Sequence, residues 1–445
     1  MTKTYWVETL GCPKNHVDSD KVTGQLQRDG YVAATSPESA DLVVVNTCAF
    51  IEEARQESID VILEMSDRRT DAARLVVTGC MAERYGDELT EALPEIDLVA
   101  GFGESLTTPV PVALGKKSHA KRTSELLELP RTPVDVPWAY LKVAEGCDRI
   151  CGFCAIPSFR GPQRSRTVAS LLLEVESLQR GGTPPLREVI LIAQDLASFG
   201  RDRSSGRTGD ADDFARAAVP GEQPIVEVLR ALKGSVDWVR LLYLYPSGLT
   251  PTLIEAMIES GMPYFDLSLQ HVTRPMLKRM RRFGDGDKFL ERISTIRSLA
   301  PDAAFRSSFI VGYPGETEAD HDALLEFVEE AQLDWAGFFP FSPEVGTYAA
   351  DLEHQVPSEL VQERMREVTE AQDAITWAKR DALVGTTCTV LIDRPGRARS
   401  TREAPEIDGV IVVPEHLEAG TMVEVEIVAA IGTDLEAVPA RRGDQ

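Results

Sequence analysis

The chain has 445 residues, 43% apolar and 27% charged, with 71 Asp and Glu against 47 Lys and Arg. That length and apolar content suit about three globular domains; with no run of roughly 18 apolar residues and no basic-then-apolar leader, neither a membrane span nor a signal peptide is expected. A formal charge of −24 argues against broad nucleic-acid affinity, which needs Lys and Arg against phosphate, and favours a basic partner.

Three apolar runs open the chain: Thr4-Tyr-Trp-Val-Glu-Thr-Leu10, Leu42-Val-Val-Val-Asn46 and Leu75-Val-Val-Thr-Gly79. Each reads as a strand followed by a helix-like stretch, so a βαβαβ unit with a parallel sheet is expected. Cys12, Cys48 and Cys80 closely follow the three strands. Ligands of open parallel sheets bind beyond the carboxyl ends of the strands, so these distant cysteines are expected to converge there. Half-buried core cysteines are the plainer alternative, but three at equivalent positions favour a metal site with three thiolates. A further strand is expected at Ile96-Asp-Leu-Val-Ala100, before the turn Gly101-Phe-Gly103. This domain spans residues 1–115, and residues 116–136, basic, proline-containing and without periodicity, read as a linker.

Residues 137–358 restart the pattern as repeated βα units. Strands are expected at Ala139–Val143, Glu188–Ala193, Trp238–Tyr243, Tyr264–Leu269, Phe305–Val311 and Trp335–Pro340, with helices such as Ser170–Gln179, Ile225–Lys233 and Asp320–Ala331 between them. Six parallel strands with crossover helices predict a partial (βα)6 barrel whose chemistry sits at the strand carboxyl ends. Residues 201–224 interrupt it in low-complexity order and are expected to be a flexible surface insertion. A helical connector, residues 359–382, leads to short strands at Thr387–Ile392, Gly409–Val413, Met422–Val428 and Leu435–Val438. Their spacing predicts a small, closed, OB-like antiparallel β-barrel over residues 383–441. The fold class is thus α/β and multidomain. Four Arg, no Lys and ten Asp plus Glu between Leu383 and Ala440 make the small barrel a poor phosphate binder. Cys388, in its first strand, is expected to be plain core.

The first strand of the larger barrel precedes the run Glu145-Gly-Cys-Asp-Arg-Ile-Cys-Gly-Phe-Cys-Ala-Ile-Pro-Ser-Phe-Arg-Gly161, with Cys147, Cys151 and Cys154. A [4Fe-4S] cube normally takes four cysteines, so a C-x3-C-x2-C loop leaves one iron open to a substrate or cofactor. Tetrahedral zinc wants a fourth Cys or His close by. None follows, so iron–sulfur is favoured over zinc and over free structural thiols. Cluster-binding, unpaired thiols imply a reducing cytoplasm.

With Phe153 before its last cysteine, this loop resembles the signature of radical S-adenosylmethionine (SAM) enzymes. The three-cysteine α/β domain and a terminal barrel similar to the TRAM domain make the whole chain similar to the methylthiotransferases of that superfamily. The most specific segments are Thr9-Leu-Gly-Cys-Pro-Lys-Asn15, Asn46-Thr-Cys48, Thr78-Gly-Cys80, Phe153-Cys-Ala-Ile-Pro-Ser-Phe-Arg-Gly161 and Phe309-Ile-Val-Gly-Tyr-Pro-Gly-Glu-Thr317. One branch of the family modifies an isopentenylated adenosine in tRNA; the other modifies an aspartate of ribosomal protein S12. Ala155–Gly161, Tyr245-Pro-Ser-Gly248 and Leu269-Gln-His271 resemble the ribosomal branch. The acidic barrel agrees independently, because S12 is strongly basic.

The resemblance implies an enzyme that adds a methylthio group to the β-carbon of that aspartate, with one SAM as methyl donor and another as source of a 5′-deoxyadenosyl radical. A radical is required because an unactivated Cβ–H resists any ordinary base. It also implies two [4Fe-4S] clusters. Cys147, Cys151 and Cys154 would hold one, with SAM on its open iron; Cys12, Cys48 and Cys80 would hold the other, which carries the sulfur. Around SAM, Phe153 could pack near the adenine, while Gln194, Asp195, Ser268 and Gln270 could meet polar groups. Phe309 to Gly312 resembles the adenine-contacting strand. Satisfied barrel-mouth hydrogen bonds are the plain alternative for each polar residue, and turn or helix-start roles for Gly312, Gly315 and Glu316. Arg160, Arg164, Arg166 and the run Lys278-Arg-Met-Arg-Arg282 are candidates for gripping the target carboxylate, beside the default of a solvated face. His271 is expected in the core or at the surface. The implied partners are S12, free or in the small ribosomal subunit, and a low-potential electron donor such as flavodoxin or ferredoxin. Neither a membrane nor a nucleic-acid substrate is expected. The rival readings are a tRNA methylthiotransferase and a non-catalytic iron–sulfur carrier or scaffold.

Overall fold

The strand Leu42–Thr47 is buried at every position, as a central strand covered on both faces of a parallel sheet must be. It is the third of five parallel strands, β1 Thr4–Thr9, β2 Val32–Ala33, β3 Leu42–Thr47, β4 Arg74–Gly79 and β5 Leu98–Val99, arranged in the order β2-β1-β3-β4-β5. The helices are α1 Pro13–Arg28, α2 Glu52–Arg68 and α3 Cys80–Ala92. Val43, Val45, Leu75 and Val77 face Ile62, Met65 and Leu89 on one side, and Leu42, Val44 and Val76 face Val22 and Leu26 on the other. Burying such side chains contributes about 1.5–3 kcal/mol each, which is why short strands suffice. The order reverses between β1 and β3, the switch point where open α/β sheets bind ligands.

This computed structural model describes residues 2–107, 126–204 and 222–441, and the chain divides into two compact units. The first is Met1–Pro133 with Ala144–Asp148 and Ala155–Arg166; the second is Val134–Val143, Arg149–Cys154 and Thr167–Gln445. Much of the expected linker, and residues 205–221 of the expected insertion, lie outside the described residues. At its described ends, Arg201–Ser204 is a helical turn and Pro224 opens a helix, Pro224–Leu232. The first unit also holds β7 Ala144–Glu145, paired with β8 Arg164–Ser165, and a short helix, α4 Ile156–Arg160. Ala155 and Phe159 join its core.

In the second unit, β6 Trp138–Lys142, β9 Glu188–Ile192 and β10 Trp238–Leu241 form one parallel sheet in the order β10-β9-β6. A second sheet, β11 Tyr264–Gln270, β12 Ala304–Val311 and β13 Trp335–Pro340, follows in the order β11-β12-β13. A single parallel bridge, Leu244 to Leu267, joins the two halves, giving the six-stranded partial barrel. Helices Val168–Gly181, Pro251–Glu259, Gly286–Leu299 and Glu318–Ala331 fill its crossovers. The long helix Ser358–Asp381 leads to a closed barrel of β14 Thr387–Arg394, β15 Arg397–Arg399, β16 Ile411–Val412, β17 Met422–Ile431 and β18 Asp434–Pro439. The barrel is not wholly antiparallel as expected: β16 and β18 pair in parallel, because the chain crosses the barrel through β17 before closing it. Cys388 is only partly buried, on the edge of this small core.

The loop after β15 seals the amino-terminal end of the larger barrel with charge. Glu188, at the start of β9, accepts from Arg240 Nε (2.7 Å) and from Arg399 Nη1 (2.8 Å). Tyr140 donates to the Pro405 carbonyl (3.0 Å), Tyr264 to Asp408 (2.6 Å) and Trp335 to the Arg402 carbonyl (2.8 Å). In barrels of this kind the chemistry sits at the opposite, carboxyl end of the strands.

Candidate functional site

Cys12 caps α1 directly after β1, with Pro13 in the first helical turn, a place where its missing N–H costs nothing. Cys48 follows β3, and Cys80 is the first residue of α3, immediately after β4. All three are unbridged. Gly11 has φ +88°, and a Cβ there would lie 2.8 Å from Cys48 Cβ and 2.9 Å from its sulfur, so only glycine lets the β1 loop approach Cys48. Asn15, fully buried, ties the strand ends together. Its Nδ2 donates to the Leu10 and Thr47 carbonyls (2.9 and 3.0 Å), and its Oδ1 accepts from the Cys80 thiol (3.5 Å) and from Arg160 (2.8 Å). Ser58 Oγ accepts the Cys48 amide (3.1 Å).

Arg160, at the end of α4, is the cation of this site. Its Nη1 donates to both Glu145 oxygens (3.0 Å each) and to Asp18 (3.2 Å), and its Nη2 donates to Cys80 Sγ (3.0 Å), to Asn15 and to the same Asp18 oxygen (3.2 Å). The Phe102 ring covers it at 4.5 Å. Burial raises the Cys12 thiol, but Lys14, Arg160 and backbone amides outweigh it and hold its pKa below the ordinary value. Cys48 is pushed up to about 12 by burial, with Cys80 and Cys12 adding to it. Among the described residues no three His, Cys, Asp or Glu side chains close around a single ion. A four-iron cube spreads its cysteine ligands more widely than one ion does, and unbridged soft sulfur donors beside a buried guanidinium are the donor chemistry it takes.

Cys147 belongs to the first unit, where its amide donates to the Gly161 carbonyl (3.1 Å). Cys151 and Cys154 belong to the second. There Gly152 pins the loop from both sides, its amide donating to Met280 O and its carbonyl accepting from Ala349 N, each at 2.8 Å. Phe153 packs with Met276, Met280, Tyr313, Ile310 and Phe341. Arg282 donates to Cys151 Sγ (3.4 Å) and to the Ser268 carbonyl. The Tyr245 ring lies between two guanidiniums, Arg149 at 3.9 Å and Arg282 at 4.1 Å. Arg149 is held by Asp195 (2.6 Å).

The other expected cofactor residues fall in distinct settings. Asp195 is buried in the pair with Arg149, and Gln194 beside it is half-buried. Ser268 and Gln270 are half-buried at the end of β11, where Gln270 has φ +73° after a register shift. The Phe309 ring is fully buried, stacked on Phe338 at 5.5 Å and edge-on to Phe327 of the helix Glu318–Ala331 at 6.1 Å. Side chains alternate along a strand, so Ile310 rather than Phe309 is the residue of β12 packed, like Phe153, against Met276, Met280 and Tyr313. Gly312 has φ +78° and its amide donates to Glu316 (2.9 Å), which Arg364 also grips (2.8 Å). His271 is fully buried, and its Nδ1 accepts the Val272 and Thr273 amides (2.9 and 3.2 Å). Arg166 pairs with Glu128 at 3.6 Å, so it, Arg160 and Arg282 are all buried and engaged; Arg281 is exposed and stacks on Tyr348 at 3.8 Å. Asn15, Arg149 and Tyr245 carry roles that no local pattern announced, although Asn15 and Tyr245 lie inside recognisable motifs.

Residues 4–101 match the uncharacterised protein family UPF0004, residues 141–328 the radical SAM superfamily and residues 384–439 the TRAM domain. The ribosomal protein uS12 methylthiotransferase RimO of Moorella thermoacetica is 41% identical over 434 residues, 95% of each chain. That of Hydrogenovibrio crunogenus is 40% identical over 445 residues, 98% of this chain and 95% of the other. That of Geobacter sulfurreducens is 38% identical over 449 residues, 96% of each.

Proposed function

This chain belongs to the family of ribosomal protein uS12 methylthiotransferases, and on that premise we propose that it adds a methylthio group to the β-carbon of an aspartate in uS12, consuming one SAM as methyl donor and one as radical source. The observation that carries the reading is the pair of unbridged cysteine trios, one after the first strand of a partial (βα) barrel and one at the ends of three parallel strands. Cys147, Cys151 and Cys154 would hold a [4Fe-4S] cluster, and Cys12, Cys48 and Cys80 a second. When bound, these groups and SAM supply the radical and the methylated sulfur.

The chain's own residues do the placing. Gly152 fixes the Cys151–Cys154 loop by its two backbone bonds. Phe153, Ile310, Met276 and Met280 form an apolar wall that keeps water from the reacting groups. Arg282 orients Cys151 through its sulfur, as outer partners of ligands do. Gln194, Asp195, Ser268 and Gln270 offer polar groups to SAM at the strand ends. Phe309 and Gly312 would shape the strand end beside SAM, since the Phe309 ring is spent in the helix layer and the Gly312 amide in its bond to Glu316. The basic partner suits the acidic surface. One-electron reduction calls for a low-potential donor, a flavodoxin or ferredoxin, and a reducing cytoplasm.

The test is anaerobic incubation of the reconstituted enzyme with SAM, reductant and either uS12 or hypomodified tRNA. A mass gain of one methylthio group on uS12 is expected. Gain on tRNA alone, or neither product together with no deoxyadenosine, overturns the assignment.

A further inference from the structure

We propose that Arg160 is a positioning residue of the Cys12, Cys48 and Cys80 centre: Glu145 anchors one terminal nitrogen of its guanidinium, Asp18 bridges both, and the second nitrogen is thereby aimed at the Cys80 sulfur. The inference rests on reading those cysteines as ligands of the second cluster.

The arrangement is more specific than a buried ion pair. A guanidinium meeting a single carboxylate ordinarily turns two nitrogens to it. Here Nη1 alone takes both Glu145 oxygens at 3.0 Å and Asp18 Oδ2 bridges the two nitrogens at 3.2 Å each, which turns Nη2 toward Cys80 Sγ at 3.0 Å and Asn15 Oδ1 at 2.8 Å. Asn15 locks that second arm, because its own Nδ2 is committed to the Leu10 and Thr47 carbonyls. The Arg160, Asp18 and Glu145 side chains are 3%, 3% and 6% exposed, and Phe102 covers the guanidinium face, so no water competes for the N–H groups. Two buried carboxylates face this guanidinium, and the Lys14 ammonium is the other cation acting on Cys12. Thiolate ligands added beside them are tolerable only where a donor points directly at sulfur. Such bonds to cluster sulfurs favour the reduced state and so raise the reduction potential. A lysine keeps the charge but cannot bridge both sides, since an ammonium lacks the planar fork.

The experiment uses the full chain with Cys147, Cys151 and Cys154 all replaced by alanine, so that only one cluster contributes signal. After anaerobic reconstitution, iron content, the EPR spectrum and the midpoint potential are measured for this protein and for its Arg160→Lys form. Arg160→Lys is expected to retain its iron while its midpoint potential moves to more negative values and its EPR line shape changes. A folded Arg160→Lys protein with unchanged potential and spectrum overturns the inference and leaves Arg160 a purely structural tie. A second measurement needs no arginine variant: with 15N-guanidino arginine, the reduced cluster is expected to show 15N hyperfine coupling, and its absence also overturns the inference. A protein that binds no iron without Cys147, Cys151 and Cys154 refutes the ligand reading itself, a distinct failure.

Discussion

Arg399→Met is expected to destabilise the second unit by about 3–5 kcal/mol, the range for removing one partner of a buried ion pair. The Arg399 side chain is 2% exposed and grips both Asp393 oxygens (2.6 and 2.9 Å) and one Glu188 oxygen (2.8 Å). Three hydrogen bonds to charged groups are worth about 1.5–3 kcal/mol each, which sets a gross loss larger than the net. Methionine returns part of it by packing apolar surface where the arginine stem lay. What it cannot return is a partner for Asp393, while Glu188 keeps Arg240 at 2.7 Å. Differential scanning calorimetry of the full chain reads the effect as a fall in Tm on the order of 5–15 °C for that transition. Arg180→Ala is the control, because its pair with Glu176 is 74% and 60% exposed and is worth about 0.5 kcal/mol or less. A shift for Arg399→Met no larger than the control's would refute the view that the loop after β15 is held in the barrel by charge.

Three other outcomes follow from local geometry. Gly11→Ala places a Cβ against Cys48 in a backbone with φ +88°; reconstituted protein should lose iron from the Cys12 centre while deoxyadenosine formation persists, and unchanged iron content would count against it. Arg282→Gln removes the bond to Cys151 and is expected to slow deoxyadenosine formation roughly tenfold or more, as outer partners of metal ligands do; a parental rate would show the contact to be incidental. Burial pushes the Asp408 carboxyl up to about 6, against Arg306 and the bonds from Tyr264 and Ala404. Its folded pKa exceeds the unfolded value of about 3.9, so its contribution is full below that value and is lost as pH rises to about 6, roughly 3 kcal/mol in all. Asp408→Asn should flatten that part of the stability profile in urea titrations between about pH 4 and about pH 6.5, and a variant with the parent's slope would refute the assignment.

The elements carried by periodicity were legible. Trp335–Pro340 appears with the expected ends, and the other barrel strands differ by a residue or two. β15 was not legible, because Arg-Ala-Arg has no apolar alternation; its burial comes from Glu188, which lies 211 positions away. The parallel pairing of β16 with β18 is likewise a long-range closure that no local pattern encodes. At the site, the cysteines stood out because a residue type with few other uses recurs at strand ends. Asn15 and Tyr245 did not, since an amide or a ring acquires its role only from what the fold brings to it. Strand alternation could have separated Phe309 from Ile310: Phe305, Phe309 and Val311 lie on the buried face of β12, opposite Arg306, Ser308 and Ile310.

Charge sorting in the small barrel sharpens what its composition suggested. Of its four arginines, Arg399 is withdrawn into the larger barrel, and Arg402 pairs with Asp302 and Asp334 (3.3 and 3.7 Å). Only Arg394 and Arg397 are exposed, against Glu406, Glu415, Glu418, Glu424, Glu426 and Glu436. Glu424 and Glu426 on β17 and Glu436 on β18 alternate with buried Val425, Ile427, Leu435 and Ala437, so these carboxylates share the outer face of the sheet with exposed Val428 and Val438. Phosphate binding needs guanidinium and ammonium groups facing water, and two of the four arginines here are spent in ion pairs instead. The acidity is therefore a property of the barrel's surface and not merely of its composition, which suits the basic partner proposed above.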